Sequence, residues 1–332
     1  MDLPKVSVMI PTYNQQKYIL RAIESALSQD YENIEIVIVD DNSPDETQAI
    51  VEAYLSKKID TRIRYFRNQE NIGILRNYKK SLYDCASGEW VINLDGDDFF
   101  VDPSFISTAV NLTFEDDAIV LIFGNYCEFY QNSSKTVNIM NSELPRVMDG
   151  EDFLMRYSNE KISWNHNSIF YKRLNAIRLG FYWDEHVPRN DWESFLRLII
   201  NKRVGYIKNI SAAWTQHESN ETRRLDIKKY LNNYALIKGV SAFALANGME
   251  GARVKQFTRN MLYRSTRGSC IGYIRNRDFI GAAVFLTYAY KESRMLPLKV
   301  IFNPGVMLRA FLSVSPSLYT KTKAIARKLS FR

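Results

Sequence analysis

The sequence predicts an α/β fold, a mostly parallel sheet with helices on both faces, followed by a basic, mainly α-helical C-terminal region. Three observations carry this. Short apolar runs alternate with amphipathic helical patterns from the N-terminus to about residue 95. Three of the apolar runs end in polar clusters. The charge then changes sign along the chain: residues 1–222 hold 23 Lys and Arg against 33 Asp and Glu, whereas residues 223–332 hold 21 against 4. We expect two domains divided there.

In chain order, Val6–Ile10 reads as a strand, residues 17–29 as a helix, Ile34–Val39 as a strand and residues 45–57 as a helix. Arg62–Phe66 (strand), residues 72–86 (helix) and Glu89–Leu94 (strand) complete the alternation. Strands joined by helices of this length imply right-handed crossovers between parallel neighbours. Ligands of such sheets bind outside the carboxyl ends of the strands. Pro11-Thr12-Tyr13-Asn14, Asp40-Asp41-Asn42-Ser43 and Asp95-Gly96-Asp97-Asp98 follow three of these strands, so all three should face one crevice. Further strands are expected at 118–130 and 166–171, and a helix at 191–202. Beyond residue 225 the pattern is helical, with breaks at Pro297, Pro304 and Pro316. Its longest apolar stretch, Phe279–Tyr290, is about 12 residues where a membrane span needs roughly 20.

Composition narrows the function classes. A chain of 332 residues, 46% hydrophobic and 24% charged, has globular proportions, which excludes disorder as the main state. Three cysteines (Cys85, Cys127, Cys270) are too few for a disulfide framework or a four-cysteine zinc site, and three histidines exclude a histidine-rich metal site. Residues Met1–Lys5 enter the first strand without a basic and apolar leader, so a cytoplasmic location is expected, and the sequons at Asn111, Asn132, Asn209 and Asn220 are read as chance matches.

Asp95, Asp97 and Asp98 concentrate three carboxylates in four residues, an arrangement that is costly unless a cation neutralises it. Mg²⁺ or Mn²⁺ fits such oxygen ligands, usually with substrate phosphates completing its shell. The same string also suits a solvated acidic loop. Tyr13 and Asn14 beside Asp41 offer an aromatic face and a carboxylate acceptor, suited to a nucleobase; a turn aromatic and a helix-capping Asp are the plainer reading.

Val6–Asn14, Ile36–Ser43 and Asn93–Asp98, followed by Ile169–Arg173, Asn190–Leu198 and Trp214–Asn220, together resemble the inverting family 2 glycosyltransferases of the GT-A fold, over roughly residues 5–222. The resemblance implies a metal-dependent inverting enzyme moving one sugar from a nucleotide sugar, with UDP as the expected nucleotide, to a hydroxyl of a glycan or lipid-linked acceptor in cell-surface polysaccharide or glycolipid assembly. It places Pro11, Thr12, Tyr13, Asn14, Asp41, Arg76 and Asp95 at nucleotide-binding positions, Asp97, Asp98 and His217 at the metal, and Asp191 as the general base. Where the family has a Glu-Asp pair this chain has Asn190-Asp191, and Arg76 stands closer to Asn71-Ile72-Gly73 than usual. Gln256-Phe257-Thr258-Arg259 is similar to a signature of processive synthases but lacks its Trp, so single-sugar transfer is expected. Trp164 and Asn165, with His166 and Asn167, suit either a sugar acceptor's surface or a packed seam.

Two other classes compete. A non-catalytic nucleotide- or carbohydrate-binding module would keep the fold without turnover. A dinucleotide oxidoreductase would need a glycine-rich turn after the first strand, where Pro11-Thr12-Tyr13-Asn14 stands. The basic tail suits an anionic membrane surface at the inner face of the cell membrane, with Phe302, Met307, Leu308, Phe311 and Leu312 as a stripe buried in it beside Arg309. A helical subdomain or homo-oligomer contact is the other reading. Nucleic acid is not expected, for no helix-turn-helix, zinc or RNA-binding signature accompanies the charge.

Overall fold

Val6–Thr12 (β1) and Ile34–Asp40 (β2) are buried along their whole length, because both sheet faces are covered, and this is why they read as continuous apolar runs rather than alternating ones. The structure, a computed structural model, describes residues 3–141, 143–183, 190–218, 220 and 227–314. The chain divides into two compact units, residues 1–221 with 246–249, and residues 222–245 with 250–332.

In the first unit, helix α1 (Ile19–Leu27) follows β1, and α2 (Thr47–Lys57) follows β2. Strand β3 (Ile63–Arg67) leads to α3 (Ile74–Lys80), which runs on through a π-turn at Ser81–Cys85 into β4 (Trp90–Asn93). The strand order β3-β2-β1-β4 places β4 on the far side of β1 from β2. The connections therefore reverse direction between β1 and β4, which opens a crevice at the carboxyl ends of those two strands. Glu35 lies buried in β2, where it accepts hydrogen bonds from Ser7 and Ser87 and pairs with Lys5 at 2.9 Å. Burial pushes its carboxyl up, but the bonds from Ser7, Lys5 and Ser87 outweigh this and leave its pKa lowered to about 2, so it stays an anion in the sheet.

The remainder departs from the expected parallel sheet. After β5 (Phe99–Phe100) and α4 (Phe105–Thr113) come β6 (Ile119–Tyr130), β7 (Lys135–Ile139), β8 (Val147–Asp149) and α5 (Gly150–Ser158). Strand β9 (Ile169–Lys172), α6 (Arg173–Leu179), α7 (Asn190–Leu198) and β10 (Arg203–Gln216) close the unit. Strand β9 enters between β4 and β6 antiparallel to both, and β7, β5 and β8 also pair antiparallel; only the β1–β2, β1–β4, β2–β3 and β6–β10 pairings run parallel. The sheet is mixed rather than mostly parallel. The crossover rule holds as far as β4; past residue 95 helices still join several strands, but β9 enters antiparallel and a tight turn at Ser134 (φ 50°) folds β7 back on β6.

The second unit is helical: α8 (Ile227–Ala246), α9 (Gly251–Arg275), α10 (Phe279–Glu292), α11 (Leu296–Ile301) and α12 (Pro304–Val314). Its core gathers Tyr234, Ile237, Cys270, Tyr273, Ile274, Phe285, Ala289, Leu296, Val300 and Val306. Among the described residues, no helix is long and apolar enough to cross a membrane.

Candidate active site

The turn after β4 is pressed against the end of β1. A Cβ added at Gly96 would sit 2.5 Å from Thr12 Oγ1, so only glycine lets the acidic turn come this close. Thr12 Oγ1 is itself buried, with no partner among the described residues. Tyr13 beside it is 42% exposed, and Asn14, in the left-handed region (φ 58°), donates its N–H to Ser43 Oγ at 3.0 Å, which joins the ends of β1 and β2.

Of the two aspartates after β2, Asp40 is structural: it is fully buried and accepts from Ser43 Oγ (2.6 Å) and Tyr65 Oη (2.9 Å). Asp41 faces the loop before α3. Its Oδ1 accepts from Asn68 Nδ2 (2.8 Å) and the Ile72 N–H (2.9 Å), and its Oδ2 from the Gly73 N–H (2.9 Å). Gly73 makes this possible with a φ of 90°, a conformation glycine adopts at no steric cost. A carboxylate offers about four lone-pair sites, so three bonds leave Asp41 one acceptor position. Arg76, in α3, is exposed.

The three carboxylates of the acidic turn separate into different environments. Asp97 Oδ2 meets His217 Nε2 at 2.8 Å, and the His217 ring stacks on Tyr18 with centroids 5.0 Å apart. The turn itself is anchored from below: the Asp97 carbonyl accepts from Arg21 Nη2 (2.9 Å) and from the Thr215 hydroxyl. Asp98 is 1% exposed and accepts from the Thr215 N–H (2.8 Å) and Asn167 Nδ2 (3.0 Å). Asp95 accepts from the Tyr78 hydroxyl through Oδ1 and lies 2.8 Å from His166 Nε2 through Oδ2. The other ring nitrogen of His166 stands 3.6 Å from Asp191 Oδ2, in the first turn of α7.

Electrostatics follow from this separation. Burial, Asp97 and Asp95 together hold the Asp98 carboxyl well above the usual carboxylate range. Burial pushes Asp95 up as well, but His166 and Tyr78 outweigh it and bring its pKa below the ordinary value. Burial works against a charged His166, yet its contacts with Asp95 and Asp191 raise its pKa well above the usual imidazole value. A buried carboxylate with two others beside it is a place where an added cation is stabilising; the carboxylate oxygens suit Mg²⁺ or Mn²⁺, and an imidazole nitrogen added to them favours Mn²⁺.

Asp97, Asp98 and His217 were expected to form one metal set. The geometry groups them otherwise: Asp97 goes with His217, while Asp98 shares a second cluster with Asp95 and His166, whose donor atoms lie within 4.8 Å of one another. The cause is Asp98's burial beneath the turn. Trp164 is 4% exposed and packs against Phe153 (4.6 Å between centroids) and Trp192 (5.1 Å), so packing, not an open sugar-facing surface, describes it. Asn165 forms a capping box with Ser168 around the short 3₁₀ turn at His166–Ser168. Sequence reasoning missed Tyr78, Arg21 and Thr215, and gave His166 no part in the acidic cluster; the one available signal was that His166 is one of only three histidines.

Comparison with known proteins places this arrangement. Residues 7–177 match the model of glycosyl transferase family 2, and the chain belongs to that family of glycosyltransferases. It is 37% identical over 173 residues to GalNAc(5)-diNAcBac-PP-undecaprenol beta-1,3-glucosyltransferase of Campylobacter jejuni, a match covering 52% of this chain and 53% of that enzyme, so the chain spans about half the length of this relative. The fold is the GT-A type. TarS of S. aureus (residues 1–349) superposes with a TM-score of 0.64 at 20% identity, covering 93% of this chain and 88% of that one. The same protein in complex with UDP-GlcNAc gives 0.58 at 17% identity, covering 87% and 92%. The mannosyltransferase PcManGT of Pyrobaculum calidifontis, in complex with GDP-Man and Mn²⁺, gives 0.57 at 16% identity, covering 95% and 88%.

Proposed function

We propose that the chain is a metal-dependent, inverting, non-processive glycosyltransferase that moves one sugar from a UDP-sugar to a hydroxyl of a glycan or lipid-linked acceptor in cell-surface polysaccharide or glycolipid assembly. The observation that carries the reading is the convergence of Asp95, Asp97, Asp98, His217 and Asp191 around the carboxyl ends of β1, β4 and β10. The Campylobacter relative acts on an undecaprenol-linked acceptor by its name, and TarS binds UDP-GlcNAc, which supports the two substrate classes.

In this reading Thr12, Tyr13 and Asp41 hold the nucleobase, Asp95 the ribose, and Asp97 with His217 a divalent cation, Asp98 lying just beneath. The cation when bound supplies electrophilic stabilisation for the departing diphosphate. Asp191 accepts the proton of the attacking hydroxyl as the new C1–O bond forms and the bond to the diphosphate breaks, so the sugar's configuration inverts and UDP leaves with the bonding pair. A non-catalytic module has no use for a carboxylate placed beside, but outside, the acidic turn. Thermal shifts of the full chain with UDP-glucose, UDP-galactose, UDP-GlcNAc and GDP-mannose, each with and without Mn²⁺, test the donor class. At a concentration of 100 Kd a true ligand adds about 2.7 kcal/mol to stability. A UDP-sugar that shifts the melting temperature only with Mn²⁺ is expected; a shift from GDP-mannose alone refutes the UDP assignment.

The second unit is proposed to rest on the inner face of the cell membrane. Its side chains Phe279 (43% exposed), Ile280 (79%), Phe302 (69%), Met307 (53%), Leu308 (58%) and Phe311 (61%) stand in solvent in the unit with the large basic excess, a combination that suits an anionic lipid surface. Leu312's side chain lies outside the described residues. Replacing Phe302, Leu308 and Phe311 together by Ser is expected to release the protein from phosphatidylglycerol-containing vesicles in a sedimentation assay at low salt. Undiminished binding would leave the tail to a packing or oligomer role.

A further inference from the structure

We infer that His166 is the positioning residue of the general base: its imidazole sets where the Asp191 carboxylate stands relative to the acidic turn. This rests on the base assignment made above for Asp191. The geometry is direct. Nε2 of His166 reaches Asp95 at 2.8 Å and Nδ1 reaches Asp191 at 3.6 Å, so one ring spans the nucleotide side and the acceptor side of the site. The ring is 18% exposed and cannot swing away freely, for Tyr78 lies edge-on to it with centroids 5.8 Å apart.

The four residues around it are tied to both sides. Trp164 packs on Trp192, the neighbour of Asp191 in α7. Asn165 and Ser168 lock the 3₁₀ turn by their reciprocal capping bonds. Asn167 donates to Asp98. A single rigid turn thus fixes α7's first turn against the carboxylates after β4, and His166 is the member that touches the base itself. Rigid positioning is what proton transfer at a developing bond needs, because a misplacement of about 1 Å can cost 10²-fold in rate. His166 is assigned no contact with substrate; it acts through Asp191.

The test is a double-mutant cycle on the full chain with Mn²⁺, reading UDP release by hydrolysis of the UDP-sugar that the wild type turns over fastest, with water standing in for the acceptor hydroxyl. His166→Ala is expected to lower kcat about 10- to 100-fold with a much smaller change in KM for the donor, and His166→Gln, which restores a side-chain N–H donor in the same space, to recover part of the loss. In the Asp191→Asn background, His166→Ala is expected to cost little more, since residues acting as a unit are non-additive. The melting temperature serves as the fold control, and UDP affinity with Mn²⁺, which the His166–Asp95 contact also touches, should fall far less than the rate. Full additivity of the two losses, or a loss of UDP binding in parallel with rate, overturns the positioning role. An Asp191→Asn variant with wild-type hydrolysis overturns instead the base assignment on which it rests.

Discussion

Asp191→Asn is expected to lower sugar transfer at least ~10²-fold while leaving donor binding intact. The amide keeps the volume and the geometry of the carboxylate but cannot take a proton, and positioned acid–base groups contribute about 10²–10⁴ in rate. Donor binding should survive because the contacts proposed for the nucleotide lie at the ends of β1, β2 and β4, while Asp191 enters from α7 and pairs with His166 on that side. Steady-state kinetics with a saturating UDP-sugar check the first part, and calorimetric titration with UDP and Mn²⁺ the second. A variant that transfers at the wild-type rate removes the general base from the mechanism. One that loses UDP affinity shows that α7 has moved.

The first half of this arrangement was legible in the sequence, and the reason is local. Strands β1, β2 and β4 are short, buried on both faces and bounded by helices with clear apolar periodicity, so their positions followed from pattern and their common direction from the crossover rule. With three parallel strands in place, the polar residues at their carboxyl ends had to share a crevice. Strand β10 was not legible. It runs from Arg203 to Gln216 with register shifts around Ile207 and Ile210, and Lys208 and Asn209 are exposed in its middle, which breaks any apolar run. Yet β10 delivers Thr215, which binds both Asp97 and Asp98, and leads directly to His217. The direction of β9 was equally hidden, because strand pattern carries no information on orientation. The environment of Asp98 depends on both strands, so sequence alone could group it with Asp97 but not bury it beside Asn167. Trp164 shows the same limit from the other side, since an aromatic residue in a polar run gives no sign of which of its faces will meet protein.

Asp97→Asn is expected to abolish the Mn²⁺ dependence of UDP binding and to lower transfer about 10²- to 10³-fold, the range for removing one stabiliser of charge that develops in the transition state. The size follows from where Asp97 stands. Asp95 is already paired with His166 and hydrogen-bonded by Tyr78, and Asp98 has both oxygens hydrogen-bonded beneath the turn, whereas the Asp97 carboxylate meets His217 through Oδ2. Removing its charge should also relieve Asp98, whose carboxyl Asp97 helps to hold above its normal range. The variant should therefore fold with undiminished stability even as it loses the cation, which separates this outcome from simple unfolding. Comparing UDP affinity with Mn²⁺ against EDTA in wild type and variant reads the effect directly. Mn²⁺ dependence retained in full by Asp97→Asn would move the metal to the neighbouring cluster of Asp95, Asp98 and His166, whose donor atoms are also close enough to hold one.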